Sequence, residues 1–309
     1  MHVILGAGGA ISDILCGALK ENNMPLKLVS RRAAPTAFGT SISADLTSAR
    51  ALRPLLEGAE TAYLLIGLPY KLSVWQAQWP GLVRNIINAC SDTGTKLVFL
   101  DNIYMLSDQS MPHMTESSPM EPSSEKGKVR AEVDRMILDA ADSGRIRACI
   151  ARAADFYGYI QPNKSILLDL VIRKMAAGKK PQWFYTINRK HSFSYVPDIG
   201  RALALLGQSP QSWNQVWHVP TAPAMTLEEI IRFINQALGT NLRPMVTNEF
   251  VTSIIRLFIP ALAEMKELKY QMVQDYVLDS SKFEKAFGFT PTPMEKGLKE
   301  ILEQIQKEA

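Results

Sequence analysis

A strand-like run, a glycine turn and a helix-like run open the chain: HVIL at 2–5, then GAGGAIS at 6–12. The alternation then repeats. Short apolar runs recur at LKLV (26–29), SISA (41–44), AYLLI (62–66), KLVFL (96–100) and IRACIA (146–151), separated by stretches of helical periodicity at 49–57, 79–92 and 124–141. Strands that alternate with helices require right-handed crossovers and a parallel sheet covered on both faces. The expected fold is α/β, a doubly wound parallel sheet of Rossmann type followed by a smaller mixed α/β part. After residue 152 the pattern turns irregular, with helices expected near 164–177, 197–206, 226–238, 248–258 and 293–307. The expected division is a dinucleotide-binding domain over 1–155, to which part of 190–220 returns, and a mainly substrate-binding part over 156–309.

Bulk properties narrow the function classes. A chain of 309 residues that is 47% hydrophobic and 21% charged can bury a sizeable core and stay soluble. The formal charge of +4 is mild, and no basic cluster is interleaved with aromatics, so nucleic acid is not an expected partner. Cys16, Cys90 and Cys149 are isolated, and the four histidines lack ligand spacing, so no metal is expected. The first residues read as strand and turn instead of a signal peptide, and no apolar run is long enough to span a bilayer. The expectation is a cytoplasmic protein without a membrane partner.

In an open parallel sheet, ligands gather beyond the carboxyl ends of the strands. Beyond the first strand, Gly6, Gly9 and Ser12 stand at three-residue spacing, where glycine permits a tight turn and close approach of backbone to a pyrophosphate. The following helix start favours an anion. Beyond the second strand, Ser30 stands where an NAD-binding chain carries an acid, and Arg31 and Arg32 can grip a 2′-phosphate. NADP(H) is the expected cofactor, with NAD(H) as the alternative. Asp45 and Leu46 suit an adenine edge and face, or Asp45 is an ordinary turn residue. Gly67, Leu68 and Pro69 offer bare backbone beyond the fourth strand. Asn102 and Tyr104 share a face beyond the fifth if the chain stays extended; simple core packing is the other reading of Tyr104.

With GAGGAIS, ADL (44–46), LVFLDNIYM (97–105), TESSPMEPSSEKGKVRAE (115–132), ARAADFYG (151–158), SFSYVPDIGRAL (192–203) and FGFTPTPMEKGL (287–298), the chain resembles an extended short-chain dehydrogenase/reductase of the NAD-dependent epimerase/dehydratase family. The resemblance implies a dinucleotide held by Gly6, Gly9, Ala10, Ile11, Ser30, Arg31, Arg32, Asp45, Leu46, Gly67, Leu68, Pro69, Asn102, Arg130, Ala153 and Phe156. It also implies a small-molecule substrate and a homodimer formed through the 79–92 and 124–141 helices. The family's usual Tyr-x-x-x-Lys motif is matched here by Lys126 and Arg130, and its catalytic Ser/Thr by Asn102. All three positions have changed, which marks an atypical active site.

Lys126 and Arg130 raise a physical question. They sit in the first turns of a helix, where the macrodipole disfavours cations. At about 100° per residue they point with the apolar stripe of Val129, Val133, Met136, Ile137 and Ala140, while Lys128 points away. Under the resemblance, that face looks onto the cofactor's ribose and nicotinamide. Arg130 can donate to ribose hydroxyls but never acts as a base, whereas Lys126 can exchange a proton. Two functions stand open. One is an NADP(H)-dependent oxidoreductase or epimerase acting on a hydroxyl or carbonyl, with Lys126 or Tyr104 handling the proton and Asn102 bonding the reacting oxygen. The other is a non-enzymatic NADP(H) sensor that has lost the catalytic set.

Other residues divide between site and scaffold. Trp75 and Trp79, four apart, read as core or as a ligand platform. His113 is placed at a site rim and His191 near a substrate, while His218 reads as a satisfied strand residue. The Arg189–His191 run faces an anionic group or solvent. Tyr70, Trp183 and Tyr185 are candidates for an apolar pocket wall.

Overall fold

The computed structural model describes residues 1–256 and 263–308. The described chain forms two compact units. The first comprises Met1–Met105, Met120–Ala153 and Ile199–Val219; the second comprises Leu106–Pro119, Ala154–Asp198 and the described residues from Pro220 onward.

The first unit is built on a seven-stranded sheet. Its strands are β1 (His2–Leu5), β2 (Leu26–Ser30), β3 (Thr40–Ser43), β4 (Thr61–Leu64), β5 (Lys96–Asp101), β6 (Ala148–Arg152) and Gln215–His218, in the order 3-2-1-4-5-6 followed by Gln215–His218. Every neighbouring pair is parallel. β1, β4 and β6 are buried along their whole length, as strands covered on both faces must be. Strand order reverses between β1 and β4, which places the switch point at the glycine turn.

The crossover helices are α1 (Ala10–Glu21), α2 (Ala49–Leu56), α3 (Leu72–Thr93) and α4 (Glu125–Asp142). Val3 and Leu5 of β1 pack into one cluster with Leu52, Trp79, Leu82, Ile86, Phe99, Val133 and Ile137, so α2, α3 and α4 clothe one face. His2 and Ile4 alternate to the other face. The helix at 79–92 starts earlier than expected, at Leu72, and runs through Pro80. The three cysteines are buried and unpaired.

In the second unit, Phe193–Tyr195 pairs in parallel with Asp155–Tyr157, Met245–Thr247 in parallel with Gln182–Phe184, and Met225–Thr226 antiparallel with Lys190–His191. The expected 164–177 helix is a π-helical turn, Leu168–Ile172, leading into Arg173–Ala176. The helix Leu227–Leu238 opens with a capping box: Thr226 Oγ1 accepts from Glu229 N (3.2 Å) and Glu229 Oε2 accepts from Thr226 N (2.8 Å). The helix expected at 248–258 is Glu249–Arg256, and its last two expected residues lie outside the described residues. The final helix, Met294–Glu308, is tied down by Tyr195, whose hydroxyl donates to Glu300 (2.5 Å).

Candidate functional site

At the switch point the backbone leaves β1 through Gly6 and Gly8, at φ 102° and 97°. Gly6 is also a close approach, since a Cβ there would stand 2.9 Å from Ile66 N. Beside Gly8, Gly9 and Gly67 a Cβ would meet nothing within 4 Å, so bare backbone faces open space there. Ser12, which replaces the customary third glycine, is buried and acts on the turn itself. Its Oγ accepts from Gly8 N and Gly9 N (both 3.0 Å) and donates to Gly9 O (2.6 Å). The first N–H groups of α1, at Ala10 and Ile11, have no intrahelical acceptor by helix geometry. Gly8 was missed in the sequence, although the doubled glycine at 8–9 signals it.

Beyond β2 the loop is fixed by backbone contacts. Ser30 Oγ donates to Arg32 O (2.7 Å) and Ser43 Oγ to Arg31 O (3.0 Å), leaving both arginine side chains exposed. Asp45 is held by Thr47, accepting from its N (3.0 Å) and Oγ1 (2.7 Å), and these bonds with nearby Arg31 keep its carboxyl below the usual range. Leu46 is buried in the core cluster. The glycine turn, exposed backbone at Gly67 and paired guanidiniums suit a phosphorylated dinucleotide.

Beyond β5 the chain does not stay extended. Asn102 Oδ1 accepts from Tyr104 N (2.9 Å), closing a side-chain turn, and Asn102 N donates to Asp101 Oδ1 (2.6 Å). The extended backbone on which a shared face of Asn102 and Tyr104 depended is therefore absent, because the Asn102 side chain turns the chain instead. Tyr104 stacks on Trp75, with centroids 6.3 Å apart and planes at 20°.

α4 points its cations as expected: Lys126 and Arg130 are 1% and 2% exposed, while Lys128 is exposed and pairs with Glu125 (2.5 Å). The structure supplies their reason. Lys126 Nζ lies 4.9 Å from the Tyr70 ring centroid. The Arg130 guanidinium lies 4.2 Å from Trp79, 5.1 Å from Phe99 and 5.6 Å from Trp75, and Nη2 donates to the buried carboxylate of Asp101. Trp75 and Trp79 are thus core, as α3's aromatic row against the basic face of α4. One turn on, Asp134 Oδ2 accepts from Arg152 Nε (3.0 Å) and Nη2 (2.7 Å). Asp101, Asp134 and Arg152 were missed. The one available signal was that a buried Arg130 needs an anion, and DNIYM places an acid at the end of β5.

Most of the remaining candidates lie in the second unit. His113 Nε2 meets Asp279 Oδ2 at 3.1 Å near the surface. His191 is buried, with Nε2 2.9 Å from Asp155 Oδ2 and its ring stacked 4.2 Å from Tyr276. Trp183 meets the His191 ring edge-on at 6.3 Å, and Tyr185 adjoins Phe184. Phe156 is half-buried there, whereas Ala153 is buried in the first unit. Among the described residues there is no cluster able to hold a metal ion, and no helix is long and apolar enough to cross a membrane.

A doubly wound sheet with a glycine turn at its switch point defines a nucleotide-binding α/β protein. The sequence matches the NAD dependent epimerase/dehydratase family over residues 2–219, and the chain belongs to that family. No curated protein sequence matches it. Among solved structures it is similar to MoeE5 in complex with UDP-glucose and NAD, at 20% identity, TM-score 0.79 and 99% coverage of both chains. It is also similar to UDP-glucose 4-epimerase with UDP-glucose from Thermotoga maritima, at 15% identity and TM-score 0.79, covering 100% of this chain and 99% of that one. A third is a double mutant of DesIV, a dTDP-glucose 4,6-dehydratase from Streptomyces venezuelae with NAD bound, at 16% identity and TM-score 0.78, covering 99% and 97%. At these identities the likeness speaks for the fold.

Proposed function

We propose that the protein binds NADP(H) across the glycine turn and oxidises or reduces a hydroxyl or carbonyl of a small molecule, with Lys126 handling the proton. The observation that carries this reading is Lys126 itself, buried on the inward face of α4 beside Tyr70 and the loops that follow β4 and β5. Burying an ammonium is costly, and a group that must exchange a proton beside a reacting oxygen gives that cost a purpose.

When bound, the nicotinamide supplies hydride chemistry. The chain's own residues do the rest. Gly6, Gly9, Ala10 and Ile11 receive the pyrophosphate, Gly67, Leu68 and Pro69 line it with backbone, and Asp45 and Leu46 flank the adenine. Arg31 and Arg32 grip the 2′-phosphate, which favours NADP(H) over NAD(H). Because Asn102 Oδ1 is committed to Tyr104 N, its Nδ2 is left as the donor for the reacting oxygen. Arg130, committed to Asp101, serves this site as a support more than as a ribose ligand.

Calorimetry on the purified protein tests the reading. NADPH should bind tighter than NADH by about ten-fold or more, the worth of one charge-assisted contact, and Arg31→Asp should erase that preference. Lys126→Met should leave NADPH binding nearly intact and abolish turnover over a panel of aldehydes, ketones and nucleotide sugars, the last included because structural neighbours carry UDP-glucose. Failure to take up either dinucleotide overturns the proposal.

One observation favours a second reading. Asn102 Oδ1 and Arg130 Nη2 are already bonded inside the first unit, as suits a protein that binds the dinucleotide as a signal. Tight NADPH binding without turnover across the same panel would select this sensor; turnover would eliminate it.

A further inference from the structure

Four charged side chains meet beneath the inward face of α4. Asp101 and Arg152 are register partners on the adjacent strands β5 and β6. Arg130 and Asp134 stand one turn apart on α4, each joined to the opposite charge: Arg130 to Asp101, Arg152 to Asp134. All four side chains are at most 3% exposed. Each carboxylate spends one oxygen. Asp101 Oδ1 takes Arg130 Nη2 and Asn102 N, and Asp134 Oδ2 takes both Arg152 donors. The second oxygens, Asp101 Oδ2 and Asp134 Oδ1, are buried and have no donor among the described residues. Strand register and the two ion pairs bring both carboxyls into one buried cluster, since Asp134 binds Arg152, the register partner of Asp101.

Two acceptor-only carboxyls confined to one dry cluster repel, and each keeps one oxygen unsatisfied. One proton placed between them converts both faults into a hydrogen bond, because a protonated carboxyl is a donor. We propose that Asp101 and Asp134 share a single proton, and that this carboxyl pair is the positioning device for Arg130 and, one turn earlier on α4, for Lys126. The part concerning Lys126 rests on the function proposed above; the shared proton does not. The cations that face the pair are Arg130 and Arg152; Trp75 and Trp79 of α3 and Phe99 of β5 pack against Arg130, and Met120 Sδ accepts from Arg152 Nη2 (3.0 Å).

Burial pushes the Asp101 carboxyl up to about 8, opposed by the charge of Arg130 and reinforced by Asp134. An unfolded chain gives up that proton near pH 4, so stability declines as pH rises from about 4 to about 8 and levels above that. An asparagine amide can stand in for a protonated carboxyl as donor. Either Asp101→Asn or Asp134→Asn should therefore fold and lose this decline.

The decisive measurement is infrared difference spectroscopy on the intact protein, carried through about pH 8. The expected result is a buried carboxylic-acid carbonyl band in the wild type that disappears across that pH and is absent from both asparagine variants. The alkaline limb of kcat/KM should disappear with it in Asp134→Asn, a change that a merely structural role would not produce. Absence of the band from the folded wild type, or its survival in both variants, overturns the proposal. Because the wild-type spectrum alone can refute it, a variant that fails to fold does not shelter it. Because no dinucleotide is needed, failure of the cofactor reading is separately visible.

Discussion

Gly127 sits one residue after the buried lysine, and its missing side chain decides how the loop beyond β5 meets α4. A Cβ there would stand 2.4 Å from Tyr104 O, 2.6 Å from Pro122 Cβ and 2.7 Å from Ser124 Oγ. Ser124 Oγ is also the N-cap of the helix, accepting from Gly127 N (3.1 Å). Helix propensity alone would reward Gly127→Ala by up to about 1 kcal/mol. Two of the three contacts are with backbone or a proline ring, which cannot swing away, so overpacking wins. Gly127→Ala should lose about 1–3 kcal/mol in urea unfolding. A variant as stable as the wild type would mean that the Tyr104 carbonyl does not press on this helix.

At the scale of elements, the pairing of α3 with α4 explains why two cations point inward near a helix start. The macrodipole term is about 0.3–1 kcal/mol for an exposed charge, whereas a desolvated cation over an aromatic face can gain about 2. α3 supplies those faces from Trp75 and Trp79, and β5 adds Phe99 and the Asp101 carboxyl, which accepts from Arg130. Trp79→Ala should cost about 3–5 kcal/mol through the cavity it leaves. A double-mutant cycle with Arg130→Met isolates the ring–cation part, because the unpaired Asp101 is common to both arms and cancels. A coupling of about 1 kcal/mol or more is expected, and strict additivity would remove the cation–aromatic account. The same pairing shows what could be read in advance. Periodicity locates each strand of the sheet from β1 to β6 within two residues, and the inward direction of Lys126 and Arg130, because both follow from local spacing. Asp101 and Arg152 are 51 positions apart yet become neighbours through strand register, which local spacing cannot reveal. The turn that Asn102 closes was hidden for a related reason, since a side chain took over the hydrogen bonding of a backbone that would otherwise stay extended.

For the whole molecule, buried ionisable groups on the two sides of the central sheet pull stability in opposite directions with pH. On the face opposite α3 and α4, His2 is fully buried, with Nδ1 3.1 Å from the Tyr63 hydroxyl and Nε2 without a partner among the described residues. Tyr63 in turn lies where a Cβ on Gly207 would stand 1.9 Å from its oxygen, so this contact reaches from the central strands into the helix Val196–Gln208. Burial lowers His2 from 6.5 to about 4, assisted by the N-terminal ammonium and Lys96 and opposed by Glu60. The folded histidine stays neutral while the unfolded one takes up a proton, so stability falls as pH drops from 6.5 to about 4. Asp101 acts the other way, releasing its proton on unfolding throughout the interval from about 4 to about 8. These one-proton slopes oppose each other below pH 6.5, and above it the Asp101 slope stands alone. His2→Asn should therefore uncover a decline in stability as pH rises between about 4 and 6.5, read as the difference between variant and wild-type urea midpoints. Asp101→Asn should uncover the reverse slope in the same interval. Parallel midpoint curves for His2→Asn and wild type would show that His2 titrates as freely in the folded protein as in the unfolded chain.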